Sequence, residues 1–228
     1  MVLVVGVCLS ASRPLIDATH LRLPHDWKAL RSVVIVALQV EFAVIAFQLV
    51  LQLVLRFLHV DVDTIGNATF PGPGDWQPSL PVALILLAVL PAVAEELVFR
   101  GAIFRVARNA MPVVLAMVPS AGLFGLGHLS PDMTPANNMS VFVNTALFGA
   151  LAAVAYLRTG SLYGPILAHV LNDTGPALAV VLPHEIMSWV FFAMVELSVI
   201  GMLPILFAAL KRERQRRGAL LTQRNAVR

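Results

Sequence analysis

LPVALILLAVLPAVAEELVFRG, residues 80–101, decides the fold class. The segment opens on fifteen residues, 80–94, without a polar side chain; then come Glu95 and Glu96, with Arg100 four positions after the second. An apolar run of about 20 residues reads as a helix that crosses a bilayer. A charged side chain at the centre of a bilayer costs about 2.5–3.5 kcal/mol on insertion scales. Two adjacent carboxylates at the end of such a run therefore imply partners or a task.

The rest of the chain extends this reading. Of its 228 residues 58% are hydrophobic and 13% charged, where a soluble domain is roughly half apolar and a quarter charged. The expected class is an all-α polytopic membrane bundle. Working outward from residues 80–99, further spans are predicted at about 32–58, 111–128, 139–157, 162–182 and 186–210, six in all. Residues 1–31 form an N-terminal cytoplasmic or interfacial segment, 32–210 the transmembrane bundle, and 211–228 a basic tail expected to lose regular structure at its end. Residues 1–10 are apolar but too short to span, and no basic stretch precedes them, which argues against a signal peptide. Arg100, Arg105 and Arg108 at helical spacing suggest a short interfacial helix over 100–110.

Charge placement sets the orientation. With the N-terminus cytoplasmic, every Lys and Arg except Arg56 falls in a cytoplasmic segment or at a cytoplasmic span end. The segments 59–79, 129–138 and 183–185 hold no Lys or Arg but carry Asp61, Asp63, Asp75, Asp132 and Glu185. Both termini are thus expected in the cytoplasm, with the protein integral to the plasma membrane. Membrane lipid is one partner, through the basic tail. The pI near 9.6 is a matter of orientation and gives no reason to invoke nucleic acid. Cys8 is the single cysteine, which excludes an internal disulfide and a paired-thiol metal site.

Three short patterns carry the chemistry. Glu96 and Arg100 share a helix face at i,i+4, in the favourable acid-first order. Glu95 lies about 100° round the helix and is left to face a cavity, where a carboxylate suits general-base work on water. A membrane-boundary cluster that only anchors a helix end is the competing reading. Phe124-Gly-Leu-Gly-His128 puts a histidine on a glycine-rich helix that can pack closely. His169-Val-Leu-Asn172-Asp173 puts an imidazole and a carboxylate on one face, while Asn172 points elsewhere to cap or cross-link helices. A Glu base and two His either hold a metal-activated water or align water and oxyanion without metal. The metal would be a divalent ion such as zinc, with Glu95, His128 and His169 as candidate ligands. No H-E-x-x-H and no G-x-S-x-G occurs. Gln39, Glu41, Gln48 and Gln52 in the first span and Glu196 in the last are read as helix–helix contacts, with cavity lining by Glu41 and Glu196 the second option.

Glu95-Glu96-x-x-x-Arg100, Phe124-x-x-x-His128 and His169-x-x-x-Asp173, in this order inside apolar helices, resemble the signature motifs of the CPBP family. These are the CAAX proteases and bacteriocin-processing enzymes, also called Abi, related to the Rce1-type prenyl-protein endopeptidases. The resemblance covers about residues 85–180, with Asp173 where the family often has Asn. It implies an intramembrane endopeptidase, commonly called a metalloprotease, acting on a membrane-associated CAAX-type or other peptide or protein substrate. Glu95 would activate the water with help from His128. His169 and Asp173 would complete the site as metal ligands or as an oxyanion-stabilising pair, with Glu96, Arg100, Phe124 and Asn172 in support. A non-proteolytic immunity or scaffold protein that keeps the motifs is the alternative. A small proton-coupled transporter using Glu41, Glu95 and Glu196 is a third, disfavoured by the lack of a half-to-half repeat.

One tension runs through these spans. They put Glu95 near the cytoplasmic side, His169 a few residues in from it, and His128 at the outer end of the third span. A single site cannot straddle a core of about 30 Å. Either residues 100–113 lie along the interface and the third span starts deeper, or 129–138 folds back into a protein-lined cavity. A shared site requires the Glu95 and Asp173 carboxylates and both imidazoles within roughly 4–7 Å of one another around one cavity.

Overall fold

The computed structural model describes residue 24, residues 26–60 and residues 78–226. The N-terminal apolar piece 1–10 and the acidic loop residues Asp61, Asp63 and Asp75 lie outside the described residues. The described residues are helical, in the order α1 (Trp27–Phe57), α2 (Leu80–Ala110), α3 (Val113–Leu126), α4 (Pro135–Thr159), α5 (Tyr163–Ala179) and α6 (His184–Ala226).

Local chemistry sets the helix ends. Asp26 caps α1 by accepting the Ala29 N–H at 2.7 Å, satisfying one of the free donors of a helix start. Thr134 caps α4 by accepting the Asn137 N–H at 3.2 Å, with Pro135 in the first turn, where no N–H is needed. Gly160 closes α4 at φ 65°, a left-handed conformation that favours glycine.

Four helices are long and apolar enough to cross a bilayer: α1, α2, α4 and the Glu185–Ala208 part of α6. The chain is therefore an integral membrane helical bundle. Two of the six expected spans are shorter than predicted. With 14 and 17 residues, α3 and α5 measure only about 21 and 25 Å, short of the hydrocarbon core. The outer surface is apolar, as a lipid-facing wall requires; Trp189 is 76% and Val114 69% exposed. The basic tail, expected as a separate segment, instead continues α6 as helix to Ala226.

α5 is the central element, packed against α1, α2, α4 and α6. Small residues bring the helices close. Ala83, Ala92, Ala152, Ala168 and Ala177 have no exposed surface, and backbones approach where side chains are short. α6 meets α1 at Gly201, where an added Cβ would collide with Leu38. Gln39 ties three helices together there: its Nε2 donates to the Gly201 carbonyl at 2.9 Å, and its Oε1 accepts from Arg158 Nη1 at 2.6 Å. Gln39 is thus a helix–helix contact, as its position in α1 suggested.

The expected interfacial helix over 100–110 does not exist as a separate element. α2 runs unbroken through it, 31 residues or about 46 Å. This correction removes the depth conflict. Glu95 now sits near the middle of α2, 15 residues before its last residue, Ala110; His128 lies 15 residues beyond the first residue of α3, Val113. Since α2 and α3 form a tight hairpin, equal distances from the bend return His128 to the depth of Glu95. Ser120 Oγ pins the hairpin by donating to the Phe99 carbonyl at 2.9 Å.

α2 is not a uniform α-helix. The turns Ile85–Val89 and Leu97–Phe104 are π-helical and bracket the α-helical Leu90–Glu96. Pro91 supplies no N–H and crowds the carbonyl one turn back, which disfavours the regular ladder there. Ser120 taps the Phe99 carbonyl inside the second π segment, a side-chain intrusion of the kind that loosens helical ladders. Wide turns of this sort recur at functional sites.

Candidate active site

Phe124 is the hub. It is 2% exposed and its ring touches Phe99, His128, Phe148 and His169 at centroid separations of 5.1, 4.6, 5.8 and 5.5 Å. The Arg100 guanidinium lies 4.8 Å from its centroid, a cation–π distance. Four helices thus meet at one aromatic cluster: α2 with Glu95, Glu96 and Arg100, the end of α3 with His128, α4 with the Phe148 ring, and α5 with His169 and Asp173.

Glu96 and Arg100 form the ion pair their spacing predicts, with Arg100 Nη1 2.7 Å from Glu96 Oε1 and neither side chain exposed. Such a pair is tenable in an apolar interior only if its remaining hydrogen-bonding groups find partners. Arg100 Nη2 donates to the Gly149 carbonyl at 2.8 Å. Glu96 Oε1 also meets His169 Nδ1 at 2.9 Å. A carboxylate only accepts, so Nδ1 carries the hydrogen. One glutamate oxygen therefore links the α2 arginine to the α5 histidine and fixes the ring. This bridge is not visible in the sequence, where Asp173 looks like the orienting partner because it shares a helix face with His169.

With Nδ1 engaged, Nε2 is the ring atom left for chemistry. It faces Asp173 Oδ2 at 3.5 Å and Glu95 Oε2 at 3.9 Å. Glu95 Oε2 is buried without a hydrogen-bond partner, and the Glu95 side chain as a whole is 19% exposed. Glu95, His169 and Asp173 thus stand within the spacing a single site needs.

His128 follows the last turn of α3. Its Nδ1 donates to the Phe124 carbonyl at 2.8 Å; the carbonyl only accepts, so Nε2 keeps a lone pair in the neutral ring. Both imidazoles pack on Phe124, at 4.6 and 5.5 Å, so their centres are separated by no more than the sum, about 10 Å. The loop after His128 is closed by Asn138, whose Oδ1 accepts from Ser130 N at 3.0 Å and whose Nδ2 donates to Ser130 O at 2.8 Å.

Gly149 shows how little room the arrangement has. A Cβ there would lie 3.0 Å from Ala121 Cα and 3.2 Å from Arg100 Nη2. Gly149→Val is expected to separate α3 from α4 and lower stability by about 1–3 kcal/mol, the usual range for overpacking. A thermal midpoint in detergent equal to that of the wild type would refute this.

Residues 77–175 match the model of the type II CAAX prenyl endopeptidase Rce1-like family. Over this segment, under half of the chain, the sequence is similar to the Rce1-like family. No curated protein and no solved structure matches the chain. The Rce1-like segment contains all three motifs, from Glu95 to Asp173, and leaves out α1 and most of α6. CAAX-type intramembrane endopeptidase activity in general goes with the family.

Among the described residues, no group of three or more His, Cys, Asp or Glu is arranged to hold a metal ion. In each imidazole Nδ1 is engaged, by Glu96 and by the Phe124 carbonyl, and Nε2 is the nitrogen left over; a histidine held in this way keeps one ring nitrogen available to a ligand.

Proposed function

We propose that this chain is an intramembrane endopeptidase that hydrolyses a peptide bond of a CAAX-type or other membrane-associated peptide with a glutamate-activated water. One observation carries the reading: Glu95 faces His169 Nε2 while Glu96 and Arg100 hold the opposite side of that ring.

Glu95 takes a proton from water, and the resulting hydroxide forms a bond to the scissile carbonyl carbon. His128 Nε2, the nitrogen not used by the Phe124 carbonyl, accepts the water's second hydrogen bond and aims it. His169, as an imidazolium flanked by Glu96, Glu95 and Asp173, keeps Nδ1–H on Glu96 and donates from Nε2–H to the carbonyl oxygen as it gains negative charge, the role of a preorganised oxyanion donor. The C–N bond breaks, and Glu95 returns its proton to the leaving amine. Asp173 lies on the other flank of Nε2 and restrains the ring. No step passes through a metal.

Purified protein in lipid nanodiscs, offered a panel of prenylated and unmodified C-terminal peptides, tests the reading; a wild type that cleaves none of them refutes it. Dialysis against EDTA or phenanthroline is expected to leave the rate within about twofold. Loss of activity restored by added zinc would overturn the metal-free route.

The orientation proposed with this function places both termini in the cytoplasm and the protein in the plasma membrane. The bends at Ala110–Val113 and Thr159–Tyr163 then lie on the cytoplasmic side, beside Arg105, Arg108 and Arg158, as lysine and arginine bias requires.

A further inference from the structure

Glu41 lies in the middle of α1, outside the Rce1-like segment. It is 3% exposed, and its Oε2 is buried with no hydrogen-bond partner. An acid in that setting is expensive in a membrane helix and calls for a reason. The polar groups beside the Glu41 carboxylate are the Asn172 side-chain amide and, within electrostatic range, Asp173. α1 packs along α5 over this stretch, and the apolar residues around Glu41, namely Val36, Ala37, Val40 and Val44, belong to the same core as Phe124, Phe148 and Ala168. The carboxylate is thus seated against the turn of α5 that follows His169.

We propose that Glu41 is a positioning residue of the active site: it holds Asn172 and so sets how Asp173 meets His169. Asn172 and Asp173 are neighbours on one helical turn, and Asp173 Oδ2 stands 3.5 Å from His169 Nε2. That separation exceeds a direct hydrogen bond, so a small change in the helical turn between the two residues, or in the Asp173 rotamer, alters it strongly. α5 spans only 17 residues and contains Pro176, which interrupts its backbone ladder. A side-chain tether from α1 replaces part of that lost rigidity. The tether needs an acceptor at position 41 and no charge, because its partner is a neutral amide. This inference rests on the endopeptidase reading for its kinetic part alone.

The test compares Glu41→Gln, Glu41→Leu, Asn172→Leu and the double variant Glu41→Leu/Asn172→Leu in full-length protein in nanodiscs. Glu41→Gln keeps an acceptor oxygen, so kcat is expected within about threefold of wild type. Glu41→Leu is expected to lower kcat by about 10–100-fold with KM within about twofold. The double variant is expected to lose no more than the worse single one, because both break one tether. Independently of activity, the imidazole 15N resonances of His169, assigned with His169→Gln, are expected to shift in Glu41→Leu and Asn172→Leu and to stay in place in Glu41→Gln. His169 resonances that are unmoved in both leucine variants overturn the proposal, as does Glu41→Gln losing as much activity as Glu41→Leu. Glu95→Gln serves as the control: if wild type and Glu95→Gln are equally inactive, the endopeptidase reading fails while the resonances still decide the tether. Should Glu41→Leu not fold, Glu41→Gln and Asn172→Leu decide it by the same two readouts.

Discussion

Glu95→Gln abolishes most peptide hydrolysis, by about 10²–10⁴-fold, the range a positioned general base contributes. The amide is nearly the same size and cannot accept the proton of the attacking water. The fold is expected to survive the change. Glu95 is 19% exposed, and its Oε2 is buried without a hydrogen-bond partner, so glutamine breaks no hydrogen bond at that atom. The loss is expected in kcat, with substrate binding nearly unchanged, because the missing interaction belongs to the transition state. A Glu95→Gln protein that melts like the wild type and cleaves within threefold of its rate would end the assignment of Glu95 as the base.

Arg100→Leu produces the largest expected loss of stability, about 3–5 kcal/mol, the cost of stranding one member of a buried ion pair. Two hydrogen bonds go at once, to Glu96 at 2.7 Å and to the Gly149 carbonyl at 2.8 Å, together with the contact over the Phe124 ring. Glu96 is left with no exposed surface and keeps its contact with His169 Nδ1. Arg100→Lys is expected to fall between, since a single ammonium cannot reach both acceptors in the forked geometry of arginine. The double variant Glu96→Leu/Arg100→Leu is expected to be more stable than Arg100→Leu, yet less active than wild type because the His169 ring loses its anchor. Thermal unfolding of purified variants in one detergent measures all three. Equal midpoints for Arg100→Leu and wild type would show that the pair contributes nothing to the fold.

How far each part was legible depends on whether its signal is local. The Glu96–Arg100 pair is an i,i+4 relation within one helix, and the structure shows it at 2.7 Å. The His169–Asp173 relation is equally local, and the two side chains do face each other at 3.5 Å. The end of α2 was misplaced because Arg100, Arg105 and Arg108 look like an interfacial run. Hydropathy alone cannot show that Arg100 is wholly buried and neutralised by a glutamate one turn earlier. The sequence suggests a helix–helix contact for Glu41; what it hides is that the residue is buried in α1, in the core shared with α5. Asn138 has no role assigned from the sequence, yet it closes the loop behind His128.

Composition and apolar run length by themselves determined that this chain is a helical membrane protein, because lipid leaves a backbone few ways to satisfy its hydrogen bonds. Residue spacing determined which side chains share a face. The tertiary structure alone decided that α3 and α5 stop short of a full crossing, and that Glu95 and His128 stand at one depth. It also decided that Glu96 grips both Arg100 and His169, residues far apart in the chain. Such contacts arise from how the helices pack, and packing depends on alanines and glycines whose partners lie on other helices.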